Sequence, residues 1–132
     1  MKKFTTILAT LMLLLSLALV GCKKAPIIVK ESDDYVVITA TSVEENTTLA
    51  EYMQQSNSDM FVIENGMVVS INGLSNAQDW SACWMLYTDD ADVSDTAYSI
   101  EYKGKIYGSA LYGAESLTVK SGKTYIWIYQ TF

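Results

Sequence analysis

The sequence Phe61-Val62-Ile63-Glu64-Asn65-Gly66-Met67-Val68-Val69-Ser70-Ile71 has the pattern of a β-hairpin. Its two halves are rich in apolar and β-branched side chains, a composition typical of β-strands. The dipeptide Asn65-Gly66 between them is a favoured two-residue hairpin turn, because both turn positions need a positive φ. We therefore expect an antiparallel hairpin here, followed directly by a second Asn-Gly pair at Asn72-Gly73.

A short amphipathic helix is expected just before the hairpin. The sequence Thr48-Leu49-Ala50-Glu51 matches a capping box, in which a threonine caps the helix and a glutamate stands three positions later. The spacing predicts a helix over residues 49–55, with Leu49, Tyr52 and Met53 on one face. Upstream of it, the β-branched run at residues 35–41 predicts the first strand.

The rest of the chain predicts further strands. Residues 80–87 are aromatic and apolar on both faces, so we expect a central strand or a strand with one exposed aromatic face. Other strands are predicted at residues 97–102, 106–107 and 124–131, and loops at residues 74–79, 88–95 and 109–115. In the last strand, Tyr125, Trp127 and Tyr129 alternate with Ile126 and Ile128. This order predicts an α+β fold, with one short helix packed on a mixed or antiparallel sheet.

The N-terminus has the pattern of a lipoprotein signal peptide. Lys2 and Lys3 precede an uncharged, leucine-rich segment that ends in a lipobox, Leu19-Val20-Gly21-Cys22. Residues 7–20 are shorter than the ~20 apolar residues that a membrane-spanning helix needs. We expect cleavage before Cys22 and a lipid on its thiol, which anchors the protein to the bacterial cell membrane outside the cytoplasm.

Three divisions of the chain follow from this pattern. Residues 1–21 are the expected signal peptide, residues 22–33 a lipidated tether, and residues 34–132 one folded domain. Ile27-Ile28-Val29 resembles the start of a strand, but no clear alternation follows it, so it is assigned to the tether.

Charge and composition exclude several classes of function. The predicted mature chain, residues 22–132, carries 7 Lys against 15 acidic residues, a net charge of −8. Such a surface repels nucleic acid, so no nucleic-acid partner is expected. The chain has no His and no Arg, which excludes imidazole catalysis, imidazole metal sites and bidentate arginine clamps. With no catalytic motif either, we expect neither an enzyme nor a metal site.

Two features have competing interpretations. Cys83 is left without a partner once Cys22 carries the lipid, and its neighbours favour a small buried apolar residue over a reactive thiol. Asp89, Asp90, Asp92 and Asp95 offer closely spaced oxygen ligands for calcium. This run lacks the glycine and the terminal glutamate of an EF-hand loop, which favours a solvated acidic loop.

Four motifs, taken in order, resemble a family of small exported domains that is related to the C-terminal β-domain of transcobalamin and intrinsic factor. They are the capped helix at residues 48–53, the turn and strand at 66–73, the aromatic strand at 84–90 and the closing strand at 119–129. Many members have Asn-Gly where this chain has Asp89-Asp90. The resemblance implies a β-grasp-like fold and a pocket for a corrinoid or another flat ligand.

Aromatic side chains are the candidates for that pocket, because aromatic planes with polar edges suit a flat ligand or a sugar ring. The candidates are Trp80, Trp84, Tyr87, Tyr98, Tyr107 and Tyr112. Core packing is the alternative for Trp84, whereas Trp80 stands at the polar start of the predicted strand. For the tyrosines the alternatives are a binding rim and ordinary positions at strand edges.

Two functions remain open at this point. In the first, a surface lipoprotein captures a small ligand for uptake, with cobalamin or a related corrinoid as the candidate. In the second, the domain docks onto a surface or transporter protein through a sheet edge or an aromatic face and binds no small molecule. Neither function requires a cofactor.

Overall fold

A computed structural model describes residues 26–132 of the chain. The predicted signal peptide, the lipobox and Cys22 lie outside the described residues. The elements are β1 (Ile27–Ser32), β2 (Tyr35–Thr39), α1 (Leu49–Ser56), β3 (Phe61–Glu64), β4 (Met67–Ile71), β5 (Leu74–Ser75), β6 (Ala82–Thr88), a 3₁₀ turn (Ala91–Val93), β7 (Ser94–Tyr102), β8 (Lys105–Ala110) and β9 (Thr124–Thr131).

The strands form two antiparallel sheets. The larger sheet has six strands in the order β1-β2-β9-β6-β8-β7, and the smaller has three in the order β3-β4-β5. Neighbouring strands are antiparallel throughout both sheets. Residues 26–132 thus contain antiparallel sheets and one short α-helix, α1, which confirms the predicted α+β class.

The capped helix and the hairpin form as the sequence predicts. The Thr48 hydroxyl accepts a hydrogen bond from the backbone N–H of Glu51 at 3.2 Å, and the expected helix face is buried. Asn65 and Gly66 join β3 to β4 with φ values of 50° and 77°. These are the positive φ values that a two-residue hairpin turn of this kind requires.

Apolar clusters cover both faces of the large sheet. On one face, α1 and the small sheet pack on β2, β6 and β9, with Met53, Phe61 and Trp84 in the cluster. On the opposite face, four buried residues form a second cluster, namely Val37, Tyr87, Tyr107 and Ile126. The strand β6 lies between β9 and β8, and both of its faces are apolar because each sheet face carries a cluster. This confirms the first of the two expectations for residues 80–87, a central strand.

The large sheet curls until its edges meet. The Tyr102 hydroxyl on β7 donates a hydrogen bond to the Glu31 carboxylate on β1. The ring centroid of Tyr102 also lies 5.8 Å from that of Tyr35 on β2. Because β1 and β7 are opposite edges of the sheet, only a strongly coiled sheet brings these residues together.

Several predicted boundaries are wrong, because the residues concerned pair with another strand. Residues 27–32, assigned to the tether, form β1 because they pair with β2. Residues 74–75 and 109–110, expected in loops, belong to β5 and β8. Residues 94–95, expected in the acidic loop, begin β7. Pairing partners of this kind are set by tertiary context, which local composition does not record.

Trp80 does not begin the aromatic strand, because β6 starts at Ala82. Trp80 has a φ of 61°, and its N–H donates to the Ala77 carbonyl at 3.1 Å. The Asp79 carboxylate accepts hydrogen bonds from the N–H and the hydroxyl of Ser81, at 3.1 and 2.7 Å. This Asx-type turn overrides the aromatic pattern, so Trp80 shares no strand face with Trp84.

Candidate functional site

A cleft opens where β8 leaves β6. The two strands pair only at Tyr87 with Ser109 and at Thr88 with Gly108, although β6 starts five residues before Tyr87, at Ala82. The space beside the unpaired part of β6 is an open cleft of about 460 Å³. Its walls are the hairpin residues 65–68, residues 83–86 of β6 and residues 109–114. This volume lies within the range of small-ligand sites.

The loop wall of the cleft is held by the start of α1. The backbone N–H groups of Leu49 and Ala50 donate to the carbonyls of Leu117 and Ala114, each at 2.9 Å. These N–H groups belong to the first turn of the helix and have no acceptor within it. The loop therefore supplies their acceptors, and this fixes the cleft wall to the core.

The hairpin wall meets the loop wall at Gly66 and Glu115. A Cβ added to Gly66 would lie 1.7 Å from the Glu115 Oε2, and the φ of Gly66 is 77°. The Glu115 carboxylate is the end of a flexible side chain that can move aside, so the positive φ is what favours glycine at this position. The turn that the sequence predicts thus also closes one end of the cleft.

Asn76 joins the small sheet to the edge of β6. Its Oδ1 accepts a hydrogen bond from the Trp84 N–H, and its Nδ2 donates to the Val68 carbonyl, each at 2.9 Å. The Ala77 N–H donates to the Ala82 carbonyl at 2.8 Å. Residues 76–77 therefore form hydrogen bonds with the Trp84 N–H and the Ala82 carbonyl of β6, in the part of that strand that does not pair with β8. No sequence pattern indicated Asn76, because its role depends on two strands meeting.

Trp84 forms part of the cleft wall from the core side. It is 5% exposed, and its indole N–H donates to the Leu74 carbonyl at 2.8 Å. Its ring centroid lies 5.4 Å from that of Tyr129 in an edge-on arrangement. Trp84 is therefore a core residue that offers the cleft an aromatic surface but no free hydrogen-bond donor.

Exposed apolar side chains form the rim of the cleft. They are Trp80, Leu111, Tyr112 and Met67, with exposed fractions of 56%, 56%, 53% and 48%. Large apolar groups that gather at one concave surface are typical of a binding site. Met67 and Leu111 were missed by the sequence analysis, since single apolar residues in a turn or loop have no periodic signal.

Two groups in the cleft wall are chemically distinctive. Cys83 is a free, partly exposed thiol whose Sγ lies 3.7 Å from the Met85 Sδ, so the expectation of a buried residue is wrong. Trp127 also lines the cleft, and its buried indole N–H has no acceptor within residues 26–132. A buried donor without an acceptor is unfavourable, so this wall of the cleft is not fully satisfied by the protein itself.

Three of the predicted site residues lie elsewhere. Tyr87 and Tyr107 are buried in the cluster on the opposite face of the sheet. The Tyr87 hydroxyl donates to the Gln130 Oε1 at 2.7 Å. Tyr98 lies on the edge strand β7 and is 73% exposed. The cleft therefore brings together Trp80, Trp84 and Tyr112, and the other three belong to different surfaces.

The acidic run is partly built into the fold, so the expectation of a solvated loop is wrong for Asp89 and Asp90. The Asp89 carboxylate pairs with Lys105 at 2.6 Å. The Lys120 Nζ lies 3.3 Å from the Asp90 Oδ1 with hydrogen-bond geometry, and 3.2 Å from Oδ2 without it. Bonds to Asp92 and then to Asp90 raise the pKa of the Lys120 ammonium. The described residues contain no cluster of three or more thiol or carboxylate side chains that could hold a metal ion.

Comparison with family models, curated proteins and solved structures found no match for this chain. The resemblance to the transcobalamin C-terminal domain therefore stays a prediction from the order of its motifs. In residues 26–132, no helix has the length and apolar character needed to cross a membrane.

Proposed function

We propose that this protein is an extracytoplasmic lipoprotein, anchored by a lipid on Cys22, whose β-grasp-like domain captures a small flat ligand for uptake. One observation carries the ligand-binding part. Trp80 from a turn, Trp84 from a strand and Tyr112 from a loop converge on one open cleft. Apolar and aromatic walls of this kind, brought together from separate segments, are typical of small-molecule sites.

A corrinoid is the ligand to test first. The family resemblance indicates this class, and an open cleft suits a large flat molecule of which the protein covers one face. The exposed rings of Trp80 and Tyr112 offer stacking surfaces for such a molecule. Because the chain has no His, the proposal includes no protein imidazole bound to cobalt.

The uncharged lining of the cleft supports a ligand that binds by aromatic stacking. None of the described residues that line the cleft is charged. Recognition therefore rests on aromatic surfaces, the Tyr112 hydroxyl, the Ser109 hydroxyl and backbone groups. Affinity for such a ligand is expected to depend weakly on salt, because few charges take part.

The test is equilibrium dialysis of the full chain in detergent against cyanocobalamin and cobinamide, with free ligand measured by visible absorbance. We expect saturable binding. Tyr112→Ala should weaken it about tenfold, because the variant loses one aromatic contact with the ligand. Quenching of tryptophan fluorescence gives a second readout, since Tyr112→Ala keeps all three tryptophans. Tyr98→Ala is the control, because Tyr98 is an exposed tyrosine on β7 that does not line the cleft.

Absence of saturable binding of both ligands up to about 1 mM would reject the corrinoid. Equal loss of affinity in Tyr98→Ala and Tyr112→Ala would reject the cleft as the site.

A second function, docking onto a surface or transporter protein, is supported by the edge strand β7. This nine-residue strand pairs with β8 on one side and with no strand of the described chain on the other, where its last residue, Tyr102, contacts β1 through its side chain alone. Free strand edges pair readily with a strand of another protein. If docking is the function, Tyr98→Lys on β7 abolishes co-purification of a membrane partner, whereas Tyr112→Ala leaves it intact.

A further inference from the structure

A second concave surface lies on the far side of Trp80. It is a shallow groove of about 520 Å³ along the β3–β4–β5 sheet. Trp80 lines this groove as well as the cleft, so it forms the ridge between the two. The groove is thus a second concave surface, which shares Trp80 and Asn76 with the cleft but has a lining of its own from β3, β5 and residues 77–78.

The groove carries polar side chains beside its apolar ones, and one of them is charged. Glu64 from β3, Ser75 from β5 and Gln78 from the following turn line it, and all three residues are exposed. A carboxylate accepts hydrogen bonds, whereas a hydroxyl and a carboxamide both donate and accept them. These groups therefore match a ligand that presents many hydroxyl groups.

Trp80 is held over the groove by a strained turn. Its φ of 61° is rare for a bulky side chain, and 56% of the residue stays exposed. The bond from its N–H to the Ala77 carbonyl fixes this conformation on one side, and the Asp79–Ser81 turn fixes it on the other. A backbone conformation of this type is often retained where a side chain has to be presented to a ligand.

We propose that this groove binds a neutral saccharide, with one sugar ring stacked on Trp80 and its hydroxyl groups bonded to Glu64 and Gln78. The apolar C–H face of a sugar ring packs on an aromatic plane, while the hydroxyl groups at its edge need polar partners. Glu64 is the one charged side chain among the described residues that line the groove. An acidic saccharide is disfavoured, because Glu64 and the net negative charge of the chain would repel it.

The experiment measures binding of maltotetraose, cellotetraose and tetra-N-acetylchitotetraose to the full chain by isothermal titration calorimetry. The detergent must have no sugar headgroup, because such a headgroup would compete. We expect saturable binding of at least one probe with a Kd of about 1 mM or below. Trp80→Ala should weaken it at least about tenfold, and Glu64→Gln and Gln78→Ala about threefold to tenfold each. Trp80→Phe, which keeps an aromatic plane, should retain part of the affinity.

Leu111→Ala is the matched control, because Leu111 is as exposed as Trp80 but lines only the cleft. It should leave saccharide affinity unchanged. The proposal is overturned if no probe binds at about 10 mM, or if Glu64→Gln and Gln78→Ala both bind like the wild type. Tyr112→Ala separates the two sites, since it should impair corrinoid binding and spare saccharide binding. Failure of the corrinoid titration alone therefore leaves this proposal standing.

Discussion

The side-chain oxygen of Asn76 accepts a hydrogen bond from the backbone N–H of Trp84 at 2.9 Å. The amide nitrogen of the same side chain donates to the Val68 carbonyl, so one residue links β6 to the small sheet. Val68 and Trp84 both line the cleft. The Asn76 amide therefore helps to set the spacing of two cleft walls, together with the bond from the Trp84 indole N–H to the Leu74 carbonyl.

Replacement of Asn76 by alanine should destabilise the protein by about 2 kcal/mol, because two partly buried backbone groups lose their partners. Urea denaturation gives the free energy of unfolding. Gln54→Ala removes the same kind of amide from an exposed position of α1 and should change stability by less than about 0.5 kcal/mol. Equal effects of the two substitutions would show that the Asn76 bridge does not stabilise the fold.

Trp80→Gly should stabilise the protein by about 1 kcal/mol while it removes the aromatic ridge. The reason is the φ of 61°, which glycine adopts without steric cost. Leu111→Gly is the matched control, since Leu111 is exposed to the same extent, 56%, but its φ is not positive. There the added freedom of the unfolded chain should lower stability. Urea denaturation of both variants measures the difference, and destabilisation by Trp80→Gly would contradict strain at this residue.

The parts of the fold that the sequence predicts are those with local signals. The Thr48 cap and the Asn65-Gly66 turn each act within a few residues, and both form as expected. The cleft has no such signal, because it exists where β8 diverges from β6 and brings Tyr112 beside Trp84. The turn that holds Trp80 is stabilised by a hydrogen bond from the Ser81 N–H to the Asp79 carboxylate. This bond is local, but the aromatic pattern of the neighbouring residues favoured a strand instead.

Acid should loosen the turn that presents Trp80. Hydrogen bonds from the Ser81 hydroxyl and then its N–H lower the pKa of the Asp79 carboxyl. A lowered folded-state pKa gives a contribution that is present above the unfolded pKa of about 3.9 and is lost as pH falls through the lower folded value. The pH titration of the Ser81 amide by NMR should have its midpoint below the ordinary aspartate value. Asp79→Asn keeps a side-chain oxygen acceptor and should remove this transition, and a midpoint above the ordinary value would contradict the assignment.

Alkaline pH should weaken the closure of the curled sheet. The hydrogen bond to Glu31 is the largest cause that raises the pKa of Tyr102, to about 12. A raised folded-state pKa gives stability that is fully present below the unfolded value of about 10 and is lost between that value and the folded one. The free energy of unfolding should therefore fall more steeply above pH 10 in the wild type than in Tyr102→Phe. Tyr98→Phe, on the same strand but without the Glu31 bond, should follow the wild type.

Cys83 offers a direct test of where a corrinoid binds. It is a partly exposed thiol in the cleft wall, and the other cysteine of the chain, Cys22, is expected to carry the lipid. A ligand in the cleft should shield Cys83 from iodoacetamide. At a cyanocobalamin concentration of ten times Kd, we expect its alkylation to slow about tenfold, in proportion to the fraction of free protein. Mass spectrometry of the alkylated peptide measures the rate. In Tyr112→Ala, whose Kd is expected to be about tenfold larger, the rate at the same ligand concentration should rise to about half of the ligand-free rate.

The matched control moves the thiol to the edge strand. In the double variant Cys83→Ser with Tyr98→Cys, the thiol lies on β7 and outside the cleft, so the ligand should leave its alkylation rate unchanged. Protection of both thiols would indicate that cyanocobalamin consumes the reagent or covers the protein without specificity. If dialysis shows saturable binding but Cys83 reacts at its original rate, the ligand occupies a surface other than the cleft, because a molecule stacked between Trp80 and Tyr112 lies across the wall that holds Cys83.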